Sequence, residues 1–245
     1  MEKIQIYIIC IQENNPIAQF KNIRKLTTFM NFKRGFRKFW YLLWEDNSLK
    51  GWIFSLIFLF VFVKLIFFPT LNLITGTSTS LAIVESCSMY HDTNFLFFHN
   101  QNKWWQSQES KYSEYNIDSE EFKDFKMKNG FNKGDILFMT RAVPEKLEVG
   151  DIILFNANQK NPIIHRIVQI EMINNEYIFT TIGDNNPYSF TSSNNNYGID
   201  ETNIKEEQLV GKATFNIAPY LGWGKLIFQE FIRPQEERGF CKQYN

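Results

Sequence analysis

Residues 51–74 read GWIFSLIFLFVFVKLIFFPTLNLI, and this apolar run divides the 245-residue chain. Between residues 52 and 68 the only charged side chain is Lys64. A helix over this stretch is roughly 26 Å long, close to the ~30 Å hydrocarbon thickness of a bilayer. No polar stripe recurs at helical spacing, as it would in a surface helix of a soluble domain. The run therefore predicts a transmembrane helix, with Lys64 reaching toward the headgroups and Pro69 interrupting or kinking the helix.

Charged side chains are distributed unequally on the two sides of this run. The 26 basic and 26 acidic groups of the whole chain cancel, so it lacks the basic excess typical of a nucleic-acid-binding protein. Residues 1–50 carry nine basic and four acidic groups, a net charge of +5. Beyond them, with Lys64 set aside, the net charge is −6. By the positive-inside rule, this asymmetry predicts a single-pass protein with a cytoplasmic N-terminus and an extracytoplasmic C-terminal part.

Four parts of the chain follow from this division. Residues 1–50 are expected to form a cytoplasmic segment, whose basic and aromatic stretch FKRGFRKFWYLLW (32–44) rests on the inner membrane surface. After the transmembrane helix at 51–74, residues 75–232 are expected to form an extracytoplasmic β-rich domain with an insertion at 92–132. Residues 233–245 form a tail. The apolar run begins too late and is too long to be the core of a cleaved signal peptide.

Patterns of period two dominate the extracytoplasmic part. Turn-rich pieces such as NKGD, INNE and GDNNP separate six candidate strands: 81–85, 135–140, 151–155, 163–170, 177–182 and 209–217. The predicted fold class is therefore mainly β, a barrel or a sandwich. Within the insertion, SEEFKDFKM (119–127) has helical spacing with Ser119 as its N-cap. The aromatic pairs Phe97-Phe98 and Trp104-Trp105 suit either a membrane or partner surface or a packed subdomain.

The cysteine pattern argues against both a disulfide framework and a metal site. The chain has three cysteines, Cys10, Cys87 and Cys241, and no C-x-x-C or Cys/His spacing typical of zinc. Cys10 and Cys241 lie on opposite sides of the predicted membrane, so they cannot pair with each other in the inserted protein. We therefore expect neither a metal nor an organic cofactor.

Four short pieces of the β-rich part carry hydroxyl, imidazole or carboxylate side chains, the kinds of group that acyl-transfer enzymes use. Ser86-Cys87-Ser88-Met89 directly follows the first candidate strand, and His165 lies in the apolar strand IIHRIV. GDNN at 183–186 contains Asp184, and Asp200 follows in YGID. Taken singly, each has an ordinary explanation as a turn former, a satisfied strand histidine or a solvated carboxylate. An imidazole held in a strand is nevertheless well matched to proton transfer near neutral pH.

In this order, the pieces resemble a type I signal peptidase of the archaeal and eukaryotic (endoplasmic reticulum) type. The matching pieces are the apolar span and S-x-S-M, the paired KGD and VGD, IHRIV, GDNN with an aspartate downstream, and VGK followed by PYLGW. They cover roughly residues 51–223, excluding 92–130. His165, followed by Arg166, stands where bacterial signal peptidases carry a lysine base. The resemblance is therefore to the Ser-His-Asp branch, with a signal-peptidase-like β-domain.

The resemblance implies a membrane-bound serine endopeptidase that removes signal peptides from secretory precursors through an acyl-enzyme. Ser88 would be the nucleophile and His165 the general base. Asp200 is expected to orient His165, with Asp184 in support and as the alternative triad acid. The Ser88 backbone N–H and the Ser86 hydroxyl would form the oxyanion hole. The partners implied are signal-peptide-bearing precursors, the lipid bilayer, which is the endoplasmic reticulum membrane in a eukaryote, and additional membrane subunits.

Three departures from the family pattern leave alternatives open. Cys87 replaces a glycine between the serines, and Tyr90-His91 replaces x-Pro after Met89. The insertion after His91 is large for such an enzyme. A Cys87 thiol nucleophile and a His91 base are therefore alternatives within the peptidase interpretation. A catalytically inactive, membrane-anchored β-domain that acts as a scaffold is the alternative from another class.

Overall fold

The computed structural model describes residues 33–92, 101–157, 159, 161–191, 198–235 and 238–243. The backbone forms two compact units, Met1–Phe68 and Pro69–Asn245. In the first unit, residues 33–44 are helical. The Ser55 hydroxyl of the next helix donates to the Leu43 carbonyl (2.9 Å), and Phe39 packs edge-on against Phe58 at 5.2 Å between ring centroids. These two helices therefore form a hairpin.

The apolar run forms a helix that is long enough to cross a membrane. It comprises the α-helix Leu49–Phe62, a π-helical turn Val63–Phe67 and the α-helix Phe68–Thr75. Over its 27 residues it is the one such helix in the described ranges, judged by length and composition. Its apolar side chains point outward, with Trp52 66% and Leu65 69% exposed. A protein core would bury such side chains, so their exposure fits a lipid environment.

Pro69 does not interrupt this helix, contrary to one of the two expectations. The helix continues to Thr75, and the irregularity lies in the turn before the proline, where the Phe68 N–H donates to the Val63 carbonyl. A proline ring clashes with the carbonyl four residues earlier in a regular α-helix. The wider π-turn is a common way to accommodate such a break in the hydrogen-bond ladder.

In the described part of the second unit, seven antiparallel strands form a single sheet, which confirms the mainly β class. The strands are β1 Leu81–Ile83, β2 Ile136–Thr140, β3 Ile152–Phe155, β4 Ile163–Ile173, β5 Glu176–Ile182, β6 Ile204–Lys205 and β7 Leu209–Ala218. Their order is β1-β2-β7-β3-β4-β5-β6. All six candidate strands are present, and β6 is a short addition that the sequence pattern did not indicate. The predicted INNE turn joins β4 to β5 with positive φ at Asn174 and Asn175, as a two-residue hairpin favours.

Both faces of the sheet are covered by apolar clusters. All four residues of β3 are buried: Ile152 and Leu154 lie in one cluster, and Ile153 and Phe155 lie in another. Successive strand side chains point to opposite faces, so this continuous apolar run is what a strand covered on both sides requires. The core therefore encloses β3 and the part of its neighbour β4 that contains His165.

The paired KGD and VGD motifs build two equivalent turns that lead into β2 and β3. Gly134 and Gly150 adopt φ of +92° and +93°, a conformation that residues with a Cβ rarely adopt. The carboxylates of Asp135 and Asp151 each accept a backbone N–H from three residues earlier, at 2.8 and 3.0 Å. In each turn the glycine adopts the positive φ, and the aspartate carboxylate accepts a hydrogen bond from a backbone N–H of the same turn.

The insertion packs onto the sheet. Its helices, Gln101–Ser113 and Ser119–Asp124, place Trp104, Tyr112 and Phe122 in a cluster with Val168 of β4 and Ile182 of β5. Trp104 and Trp105 are therefore part of a packed subdomain, which was one of the two alternatives. Phe97 and Phe98 lie outside the described residues. The N-cap of the second helix is Asp118 rather than Ser119. That helix ends at Asp124, before the predicted end at residue 127.

Candidate active site

Ser88 lies on a short turn that follows edge strand β1. Its half-buried hydroxyl is 3.2 Å from the Ser86 hydroxyl, which is exposed. The neighbouring Met89 is buried in the same apolar cluster as Val84, so it anchors the turn from beneath. This arrangement presents both serine hydroxyls at the surface of a fixed segment.

The turn at 183–186 holds the Ser88 segment in place. The Asn185 N–H donates to the Ser88 carbonyl at 2.7 Å, and the Asn185 side-chain amide donates to the Cys87 carbonyl at 3.0 Å. The Asp184 N–H lies 3.4 Å from the Met89 sulfur. Within the part of the chain that the structure describes, the Ser88 N–H donates to no protein acceptor. That N–H is thus available to bind an oxyanion.

A disulfide joins Cys87 to Cys241, with the Cα atoms 5.3 Å apart. The thiol of Cys87 is therefore not available as a nucleophile in this structure. The disulfide also places residues 241–242 beside the Ser88 segment. There the Lys242 carbonyl accepts a hydrogen bond from the Asn185 side-chain amide at 3.0 Å. This pair was not predicted from the sequence, although Cys87 and Cys241 both lie on the C-terminal side of the apolar run.

His165 is buried on β4 opposite Ile153 of β3. Its Nδ1 hydrogen-bonds the Glu201 carboxylate through Oε1. The other oxygen of Glu201 accepts the Phe190 N–H at 2.7 Å, and Thr181 donates its backbone N–H to the Glu201 carbonyl at 2.8 Å. With Glu201 fully buried, its two oxygens and its backbone are fixed. The imidazole is therefore held in one orientation.

Asp200, the residue expected to orient His165, does not contact it. Its carboxylate accepts the backbone N–H and the hydroxyl of Thr202, at 3.0 and 2.7 Å. Glu201, one residue further, makes the contact instead. Glu201 lies in a bend before β6, where its N–H donates to the Phe190 carbonyl and its carbonyl accepts the Thr181 N–H, and its side chain faces β4. The family pattern names an aspartate, and this made Glu201 easy to overlook.

Asp184 belongs to a different buried cluster. It is ion-paired with Arg166 at 2.6 and 2.9 Å, and it also contacts the Tyr112 hydroxyl at 2.7 Å and His91 Nε2 at 2.8 Å. Although burial alone would raise the pKa of Asp184, the charge of Arg166 and the hydrogen bond with His91 hold it well below its usual range. Asp184 is therefore a structural anion that orders the 183–186 turn.

The described residues thus contain two buried histidine–carboxylate pairs, which differ in the charged groups around the carboxylate. Asp184 already has a guanidinium partner, and His91 lies under the Trp104 ring at 3.6 Å between centroids. Burial lowers the pKa of His91, which keeps that imidazole neutral. Glu201 has His165 as its ion-pairing partner among the described residues. Among the described residues, the carboxylate paired with His165 thus has no guanidinium partner, unlike the carboxylate paired with His91.

Comparison with known proteins finds relatives of this chain. The chain is 31% identical over 113 residues to the putative signal peptidase complex catalytic subunit SEC11B of Homo sapiens, over 45% of this chain and 66% of that protein. It is 30% identical over 107 residues to the signal peptidase complex catalytic subunit SEC11 of Colletotrichum graminicola, over 43% of this chain and 60% of that protein. This chain is a homologue of the signal peptidase catalytic subunits. The resemblance read from the sequence is confirmed.

The relationship has clear bounds. The match to signal peptidase catalytic subunit SEC11C of Mus musculus is 28% over 107 residues, which is 43% of this chain and 54% of that protein. The chain thus spans between half and two thirds of the length of the curated relatives it matches. No family model matches it. In the described ranges, no group of three or more His, Cys, Asp or Glu side chains is placed to bind a metal ion.

Proposed function

We propose that this signal peptidase homologue is a membrane-bound serine endopeptidase that removes signal peptides from secretory precursors. The observation that carries the proposal is the buried pair formed by His165, on the strand next to β3, and Glu201, in the bend before β6. A histidine held by a carboxylate is the part of a serine protease that makes a hydroxyl nucleophilic. Ser88, on a turn fixed by Asn185, is the hydroxyl that matches the family motif.

The reaction proceeds in two steps. The Ser88 Oγ attacks the scissile carbonyl carbon while its proton moves to Nε2 of His165. Glu201 keeps the Nδ1 proton in place and stabilises the imidazolium, and the oxyanion accepts bonds from the Ser88 N–H and the Ser86 hydroxyl. The C–N bond then breaks, and the amine leaves with the proton from His165. Water, activated by His165, hydrolyses the acyl-Ser88 ester and releases the signal peptide.

The precursor binds along β1 as an added strand. β1 is the terminal strand of the sheet, whereas β2 is paired on both sides, with β1 and β7. An extended peptide gains main-chain hydrogen bonds at a free edge with little dependence on its sequence. β1 ends at Ile83, five residues before Ser88, so a peptide on this edge leads toward the nucleophile.

The decisive experiment is precursor cleavage by the purified full chain in detergent micelles. We expect a single cut after the small-residue site that follows the apolar segment of the signal peptide, mapped by mass spectrometry. The matched control is the same precursor with Phe in place of the small residues at that site, which should resist cleavage. Binding of the precursor without cleavage would instead support the scaffold alternative.

The disulfide tests the proposed topology. With the N-terminus cytoplasmic, residues 75–245 face the oxidising side of the membrane, where the Cys87–Cys241 bond persists. In a Cys10→Ser background, maleimide-PEG should label no cysteine of the cell-made chain before reduction and two afterwards. Reduction should lower the free energy of unfolding by about 2–5 kcal/mol. Two reactive thiols in the untreated chain would contradict the topology.

The relatives are named as subunits of a complex, and we propose that this chain also assembles with further membrane subunits. The exposed apolar helix Leu49–Thr75 offers lipid-embedded surface for such contacts.

A further inference from the structure

The geometry points to Lys111, on the insertion helix, as a positioning residue for the Ser88 segment. This inference rests on the proposed function, because it concerns how that nucleophile is held. The Lys111 ammonium is buried between the insertion and the 183–186 turn. It donates to the carbonyls of Asp184 and Asn186, both at 2.8 Å, and to the Gln108 side-chain oxygen at 2.7 Å.

The turn transmits this contact to the nucleophile. Asp184 and Asn186, whose carbonyls Lys111 binds, flank Asn185. Asn185 in turn donates its N–H to the Ser88 carbonyl at 2.7 Å and its side-chain amide to the Cys87 carbonyl at 3.0 Å. The chain of contacts therefore runs from the insertion, through one turn, to the backbone on both sides of the Ser88 N–H.

The charge state of Lys111 controls how many of these contacts it can make. An ammonium has three N–H donors, and Lys111 has three acceptors within 2.8 Å. The neutral amine has only two donors, so one acceptor loses its partner. Burial lowers the pKa of Lys111 to about 8, against the attraction of Asp184. The contacts are therefore complete well below pH 8, and one of them is lost progressively as the pH rises through about 8.

The other charged groups around Lys111 do not titrate between pH 7 and pH 9.5. Burial lowers the pKa of His91 below its usual 6.5, whereas the pKa of Asp184 is depressed and that of Tyr112 is raised well above 10. The pKa of Arg166 is raised from an already high value, chiefly by Asp184 acting against burial. A change in the 183–186 turn within this window is therefore attributable to Lys111.

Hydrogen–deuterium exchange of the full chain in detergent tests the inference, because the Asn185 amide reports directly on its bond to Ser88. After correction for the chemical exchange rate, we expect its protection in the wild type to fall as the pH rises through 8. Lys111→Met should show low protection at every pH. Lys111→Arg, which stays charged, should keep its protection up to pH 9.5. Lys123→Met, which removes an exposed lysine of the other insertion helix, is the matched control and should behave like the wild type.

Precursor cleavage gives the second measurement. We expect Lys111→Met to lower kcat by about 10²-fold with little change in KM, because the nucleophile is displaced while the β1 edge is untouched. Lys111→Arg should restore kcat and move the alkaline limb of the pH profile upward. The inference would be overturned if the protection of Asn185 in the wild type did not change between pH 7 and 9.5. It would also be overturned if Lys111→Met had the same exchange rate and kcat as the wild type. If the wild type cleaves no precursor, only the proposed function is overturned, because hydrogen–deuterium exchange at Asn185 still tests the role of Lys111.

Discussion

Ser88→Ala should reduce kcat for precursor cleavage by about 10⁶-fold, to the background rate. Removing the nucleophile of a serine protease costs about as much as removing the whole triad, because these residues act as a unit. Ser88 is half-buried on the surface turn, and its hydroxyl contacts only the Ser86 hydroxyl among the described residues. Its loss should leave folding intact. The measurement is single-turnover cleavage together with thermal unfolding of both proteins.

Alanine variants of two further serines provide comparisons for this result. Ser86→Ala removes one proposed oxyanion donor and should cost about 10²-fold, whereas exposed Ser78 has no part in the reaction and its change to alanine should have no effect. Near-wild-type cleavage by a folded Ser88→Ala variant would show that another residue is the nucleophile.

The strands and the span were predictable because their signals are local. β2 alternates burial, with Leu137 and Met139 inward, and this follows directly from the two-residue period of a strand. A helix long and apolar enough to cross a membrane needs only a long apolar run. β6 has two residues, too few to show a period, and it exists because it pairs with β5.

The site was harder to predict because its contacts join distant parts of the chain. Ser88 and His165 could be selected, since short motifs surround them. Lys111 has no motif, and its role depends on a helix packing against a turn more than seventy residues away. The choice between Asp200 and Glu201 depends on which side chain faces β4, and the strand and turn signals around them do not fix that direction.

Glu201→Gln should lower kcat by about 10³–10⁴-fold. The amide keeps the shape of the carboxylate, but it cannot stabilise the imidazolium of His165. Its NH₂ group can also donate to Nδ1 and select the tautomer in which Nε2 carries the proton. The corresponding aspartate-to-asparagine change in a Ser-His-Asp protease costs about 10⁴-fold for this reason. The effect should fall on kcat rather than KM, because Glu201 is fully buried and has no access to the substrate.

Asp200→Asn provides the matched control, since it removes the adjacent carboxylate that contacts Thr202 instead of His165. We expect its kcat to stay within a fewfold of the wild type. Glu201→Asp, which keeps the charge on a shorter side chain, should lie between the two. Thermal unfolding must accompany these assays, because Glu201 also accepts the Phe190 N–H and its change could loosen that loop. A larger loss in folded Asp200→Asn than in folded Glu201→Gln would return the orienting role to Asp200, and the contact between Glu201 and His165 would then be structural only.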